Sequence, residues 1–293
     1  MRRNGILGAA AAMFLVGTLA GVAGLIGAYP VYGGQAVRYL VASAVLLSIT
    51  RALGLRFVRM TRREVLCLAG LTLLGLVFFN VCVIESTRAS GPALVGTVLG
   101  TVPLALALAG GRPAPRLLFG AAVVVTGATL ATGLGSGTTE SLLWALGALV
   151  GEVSFSLLAI PLLPRLGPIR VSAYSTALAV PMLALVGWVA EGPAMLRTPT
   201  LPEALGLGYL AIVVTVIAFF LWYRSLPKLG PGRAGLFAGL IPVAAIVTGA
   251  VLGIATPTAY DLAGAGLVVT GILVGLSSAR AGGQEPAVQP SEA

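Results

Sequence analysis

An all-α polytopic membrane fold, with ten transmembrane helices arranged as two inverted five-helix repeats, is what this sequence of 293 residues predicts. Three observations carry that expectation. Apolar stretches long enough to cross a bilayer fill almost the whole chain. The basic residues gather in alternate loops between them. The second five stretches resemble the first five. Hydrophobic residues make up 58% of the chain and charged residues only 9%, where soluble domains run nearer a quarter charged.

A transmembrane helix needs about 20 mostly apolar residues. Stretches of that kind lie at roughly 6–28, 31–50, 66–86, 91–110, 115–134, 141–163, 171–190, 205–225, 232–254 and 261–278. The basic residues separate them in order. Arg2 and Arg3 precede the first. Arg51, Arg56, Arg59, Arg62 and Arg63 fall between the second and third. Arg112 and Arg116 follow the fourth, Arg165 and Arg170 the sixth, Arg224, Lys228 and Arg233 flank the turn after the eighth, and Arg280 follows the tenth. The remaining loops hold only Arg88 and Arg197, and Arg38 lies within the second span. The positive-inside rule places the basic side, and with it both termini, in the cytoplasm. The expected location is the cytoplasmic membrane. Trp144 and Trp188 fall near outer span ends and Trp222 near an inner one, where aromatic belts form.

The first stretch, after Met1-Arg2-Arg3, has the outline of a signal peptide. It is long for one, and a retained span accounts better for the charge pattern. The net charge of +9 would suggest nucleic acid in a soluble protein. Here arginines that set topology account for it, so no nucleic-acid partner is expected. Cys67 and Cys82 share the third stretch about four helical turns apart, too far for a disulfide, and read as small core residues. The chain has no histidine. That removes His-based acid–base chemistry, the usual nucleophilic triads and most metal sites. No Gly-rich phosphate loop is present either, and no metal or cofactor is expected.

The internal repeat can be followed residue by residue. Ser86, Gly91, Pro92, Gly96, Gly100 and Pro103 recur 139 positions later as Ser225, Gly230, Pro231, Gly235, Gly239 and Pro242. Further on the offset becomes 144, and Gly120-Ala121 and Val124-Val125-Thr126-Gly127 recur as Gly264-Ala265 and Val268-Val269-Thr270-Gly271. Gly- and Ala-rich helices also resemble each other by chance, but these matches are collinear. A five-span unit crosses the membrane an odd number of times, so two in one chain must be inverted, as in many secondary transporters. The halves are 1–135 and 136–279, and the Gly- and Pro-containing tail at 280–293 is expected to be disordered. Gly96/Gly100 and Gly235/Gly239 are GxxxG pairs, which mark close helix contacts in lipid. Pro103 and Pro242 should kink the fourth and ninth spans, either for packing alone or toward a substrate path.

Several of these stretches resemble the drug/metabolite transporter superfamily in its EamA-domain form. Gly230-Pro231-Gly232-Arg233-Ala234-Gly235-Leu236-Phe237 with Leu240-Ile241-Pro242-Val243-Ala244-Ala245 is similar to the family's ninth-helix signature. Leu221-Trp222-Tyr223-Arg224-Ser225-Leu226 resembles the end of the eighth helix, and Val37-Arg38-Tyr39-Leu40-Val41-Ala42 the basic position in the second. Ile241 departs from the pattern, since members often carry an acidic residue there. Glu85 and Glu152 stand where members usually have apolar or aromatic residues. The resemblance implies a secondary transporter, exporting small organic solutes such as amino-acid-like metabolites or drugs, and not an enzyme.

Ionisable groups inside spans are costly and usually face the bundle interior. Glu152, near the middle of the sixth span, is the leading candidate for binding a substrate amine or exchanging a proton. A buried structural carboxyl is the alternative. Arg38 could pair with a carboxylate such as Glu85, bind an anionic group, or snorkel to headgroups. Glu85 and Arg88 could instead pair with each other at i,i+3. Asn80 could line a pocket or hydrogen-bond a neighbouring helix. Ser154, Tyr174 and Tyr223 are further candidate substrate-binding residues. The expected partners are a small-molecule substrate, the lipid bilayer and, if transport is coupled, protons, in a monomer or homodimer. A non-transporting membrane scaffold or assembly subunit remains the other reading.

Overall fold

The computed structural model describes residues 2–111, 113–133, 137–253 and 256–277. Arg112, Arg280, the junction of the halves at 135 and 136, and the tail at 280–293 fall outside them. Among the described residues every regular element is helical. Eight helices are long and apolar enough to cross a membrane. They are α4 (Arg62–Ser90), α5 (Pro92–Ala109), α6 (Pro115–Thr132), α7 (Thr139–Leu157), α8 (Leu163–Met195), α9 (Leu201–Leu229), α10 (Pro231–Val251) and α11 (Ala259–Ser277). They correspond to the third through tenth predicted spans.

The first two predicted spans differ from that standard for local reasons. The first is not one helix. It divides into α1 (Arg2–Gly17) and α2 (Leu19–Ile26). At the break the Thr18 hydroxyl donates to the Leu15 carbonyl at 2.6 Å and shares a 2.8 Å hydrogen bond with the Tyr209 hydroxyl. The second is α3 (Val31–Ala52), which starts after Pro30 and carries Gln35, Arg38 and Ser43 along its length.

The helix interiors repeat as closely as the sequence does. Thr61 and Glu64 form a capping box at the start of α4, and Thr200 and Glu203 form another at the start of α9. Both helices then widen into a π-helical segment, Leu71–Phe78 in α4 and Leu210–Ile217 in α9. They end at Gly91 (φ 76°) and Gly230 (φ 74°), a left-handed backbone that glycine adopts without steric cost. Pro92 and Pro231 then open the next helix, where a missing N–H costs nothing. Each partner stands 139 residues after its counterpart. Pro103 and Pro242 lie just past a helical irregularity. Gly100-Thr101 forms a turn within α5, and Leu236–Gly239 is a 3-10 turn within α10.

Packing follows the same pairing. α6 packs on α11, α3 on α8, α1 on α9, and α4 on α7. The α6–α11 seam is close along its whole length. A Cβ on Gly127 would lie 2.7 Å from the Gly264 carbonyl oxygen and the Val268 nitrogen, and one on Gly120 would lie 2.6 Å from Gly275. Low numbers on α6 meet high numbers on α11, so the two helices run antiparallel. The GxxxG glycines also sit at helix contacts. Gly235 abuts Leu106 of α5 and Gly239 abuts Val124 of α6, whereas Gly96 and Gly100 meet Thr132 and Ala128 of α6 at ordinary distances.

Gly127→Ala should therefore force backbone apart along the α6–α11 seam. The expected loss is about 1–3 kcal/mol, the usual cost of overpacking. Gly266→Ala on α11, where an added Cβ meets nothing within 4 Å, should be neutral or slightly stabilising. Thermal unfolding of the two variants in the same detergent checks the contrast.

Candidate functional site

A cavity of about 530 Å³ lies inside the bundle. Its walls come from α1, α2, α3, α4, α5, α7, α9 and α10, so both halves of the chain contribute. The π-helical segments shape it. Gly75 in the α4 segment lets Phe155 of α7 approach, since a Cβ there would lie 2.7 Å from the Phe155 Cα. Gly151 repeats the device one turn away against Leu74 and Phe79. This double contact fixes α7 on α4 and presents Glu152, the next residue, to the cavity. In α9 the widened turn lets the Thr215 hydroxyl donate to the Leu210 carbonyl, five residues back, at 3.0 Å. The Thr215 oxygen in turn accepts from Arg38 Nε at 2.7 Å.

Arg38, Asn80 and Glu152 all line this cavity. Asn80 Nδ2 donates to the Tyr39 hydroxyl at 3.2 Å and to the Leu76 carbonyl at 2.6 Å, so it both lines the cavity and ties α4 to α3. Glu152 makes no hydrogen bond or ion pair among the described residues. The wall around Glu152 is aromatic. Phe155 packs on Phe219 with ring centroids 4.8 Å apart and on Tyr223 at 5.1 Å. Trp222, 2% exposed, also lines the cavity. It is therefore no interface anchor, contrary to the expectation from its place near a span end. The indole N–H of Trp222 and the Tyr223 hydroxyl are both buried without a hydrogen-bond partner among the described residues.

The pairing of Arg38 with Glu85 does not occur. Glu85 accepts from Arg88 at 2.9 Å and from the Tyr32 hydroxyl, which is the i,i+3 alternative with an added tie to α3. Glu85, Ser154, Tyr174 and Tyr223 lie outside the cavity lining. Ser154 accepts a capping bond through its backbone carbonyl, from the Leu158 amide at the end of α7. Tyr174 stacks near Phe57, 5.7 Å between centroids.

Two groups outside the cavity lining escaped sequence reasoning. The Glu191 carboxylate accepts from the backbone amides of Tyr32 at 3.1 Å and Gly33 at 3.0 Å, capping α3 from the end of α8. Arg197 donates to the Glu203 carboxylate and to the Ala28 carbonyl at 3.0 Å, and accepts from the Tyr29 hydroxyl through its own carbonyl. No sequence motif marks the longer contacts, because Glu191 meets Tyr32 and Gly33, and Arg197 meets Ala28 and Tyr29, more than 150 positions away. At the opposite end of the bundle Arg165 donates to Glu64 and to the Arg59 carbonyl, and Arg170 to the Arg56 carbonyl. The cavity lining reaches Thr87, Arg88 and Val31, at the end away from these basic loops. A larger, shallower groove of about 770 Å³ runs along α6 and the start of α11. Its one acidic residue, Asp261, is occupied in capping its own helix through Thr258.

Comparison with known proteins finds three likenesses. Residues 139–276, from the start of α7 almost to the end of α11, match the EamA-like transporter family. The uncharacterized transporter YetK of Bacillus subtilis (strain 168) is 26% identical over 264 residues, covering 83% of this chain and 78% of its own. A crystal structure of a protein 22% identical superposes with a TM-score of 0.82, covering 96% of this chain and 99% of its own. At that identity the likeness speaks for the fold alone.

The Glu191 cap yields a stability prediction. Glu191→Ala strips an acceptor from the first-turn amides of α3 and should cost about 0.5–2 kcal/mol, as lost helix caps do. Glu191→Gln keeps one acceptor oxygen and should recover part of the loss. Thermal unfolding in detergent measures both.

Proposed function

We propose, from the premise that residues 139–276 are an EamA-like transporter domain of the drug/metabolite transporter superfamily, that the chain is a secondary transporter of small organic solutes. It works by alternating access around the central cavity, in the export direction, with a proton as the coupling ion. The observation that carries this reading is the unpartnered carboxyl of Glu152 inside a cavity walled by both halves. Ionisable groups at membrane depth mark substrate and proton paths. A carboxyl whose proton affinity depends on which side the cavity faces can link proton movement to solute movement.

The architecture that goes with this mechanism is ten spans in two inverted halves, 1–135 and 136–279, with the cytoplasm on the basic side. In this reading α1 and α2 together form the first span and α3 the second. Support comes from the paired capping boxes, π-helical segments and positive-φ glycines at a spacing of 139. It also comes from the packing, in which α6 pairs with its repeat partner α11, and α3 with α8. Reporter fusions in the loop at 53–61 should report the cytoplasm. An external signal there would reverse the orientation.

In proteoliposomes the protein should accumulate a solute against its gradient when a pH difference is imposed, and empty vesicles or a non-transporting scaffold should not. Glu152→Gln holds the side chain neutral at nearly the same shape. It should abolish accumulation driven by the pH gradient while leaving downhill exchange. Undiminished accumulation in that variant would remove Glu152 as the coupling group.

A further inference from the structure

Arg38 is the charged group of the cavity that proton coupling through Glu152 leaves unused. It is 6% exposed. A guanidinium carries five N–H donors and keeps its proton in proteins. Here Nε is held by Thr215 at 2.7 Å, and Nη1 makes a longer bond to Gln35 Oε1 at 3.3 Å. Its carbon lies 5.4 Å from the centre of the Tyr39 ring.

No carboxylate among the described residues forms an ion pair with Arg38. The acidic groups at that end of the bundle are already engaged. Glu85 holds Arg88 and Tyr32, Glu191 caps α3, and Glu203 holds Arg197. Glu152, the carboxyl in the cavity, makes no ion pair with Arg38. Arg88, the other cation of the lining, is neutralised by Glu85. The cavity therefore presents one buried, fixed positive charge with donors to spare. The remaining wall is dominated by apolar and aromatic side chains, Phe79, Phe155, Phe219 and Trp222 among them. A buried charge without a counter-charge is a large local penalty, and a planar guanidinium suits a carboxylate in fork geometry.

We propose that the cavity takes an organic anion: a solute with one carboxylate or similar anionic head on an apolar body. Arg38 holds the head, and the aromatic wall receives the body. Thr215 positions the guanidinium from the π-helical turn of α9, so the site draws on both halves of the chain. This assignment rests on the transporter reading for its purpose, but its test is equilibrium binding and does not require flux.

The chain has three tryptophans. Trp144→Phe with Trp188→Phe leaves Trp222, in the cavity wall, as the remaining indole. In detergent this protein would be titrated with 3-phenylpropionate, 3-phenylpropanamide and 3-phenylpropylamine, which share a body and differ in charge. A saturable Trp222 response should be strongest for 3-phenylpropionate. Arg38→Gln should weaken it about 10- to 100-fold, the range for a lost charge-assisted hydrogen bond. Arg38→Lys, which keeps the charge without the fork, should retain part of the affinity. The ranking of the three probes on the parent protein needs no Arg38 variant to fold. The assignment is overturned if the amine or the amide binds as tightly as the carboxylate. It is also overturned if none of the three gives a saturable response, or if a natively melting Arg38→Gln binds 3-phenylpropionate undiminished. Carboxylate preference without flux would leave the anion site standing and remove transport. Flux with amine preference would do the reverse.

Discussion

In hydrocarbon, two helices gain nothing by hiding apolar surface from each other, because lipid tails are as apolar as leucine. Helices stay together only where their backbones come close enough for dense van der Waals contact. This bundle depends on that condition, and it is met by glycine. The α6–α11 seam places Gly120, Gly127, Gly264 and Gly271 against backbone atoms of the facing helix. Gly75 and Gly151 do the same between α4 and α7, and Gly17 lies against the Ile241 carbonyl where α1 meets α10. The cavity exists because these contacts hold the helices around it at fixed distances while α6, α8 and α11 stay out of its wall.

Those seams were only half visible beforehand. The glycines of α6 and α11 stood out in the sequence as an internal repeat, without any sign that repeat partners would touch. The GxxxG pairs did announce contacts, but two of their four glycines meet neighbours at ordinary distance. The difference is geometric. A repeat gives the spacing of small residues along one helix, while the partner they face is set by the three-dimensional arrangement of the spans.

The site was legible to a similar depth. An ionisable or amide side chain in an apolar run is conspicuous, which is why Arg38, Asn80 and Glu152 could be picked out, and all three line the cavity. Tyrosines and serines are common in spans for many reasons, so Ser154, Tyr174 and Tyr223 carried little signal. The π-helical segments had none at all, since Leu71–Phe78 and Leu210–Ile217 read as plain apolar helix. Yet they bring Gly75 and Thr215 into place. The long-range contacts of Glu191 and Arg197 were hidden for another reason: each joins loop or helix-end residues far apart in sequence, and no local pattern encodes such a meeting.

The distribution of charge completes the physical picture. Carboxylates at the rims and loop ends are engaged: Glu64 with Arg165, Glu85 with Arg88, Glu203 with Arg197, and Glu191 with the start of α3. Partly exposed pairs of this kind contribute little stability each, but Glu64 with Arg165 and Glu191 with the start of α3 tie helix ends across the two halves. Inside, the pattern reverses. Among the described residues Arg38 has no counter-ion, Glu152 has no hydrogen bond, and the Trp222 indole N–H is buried without a partner. Unmet polar groups in a dry interior raise the free energy of the empty state. A solute that met them would lower it, and more so in whichever conformation encloses it. A carrier needs that dependence of binding on conformation. The two ionisable side chains left without a counter-charge inside the cavity, Arg38 and Glu152, thus share a volume in which an occupant could meet them.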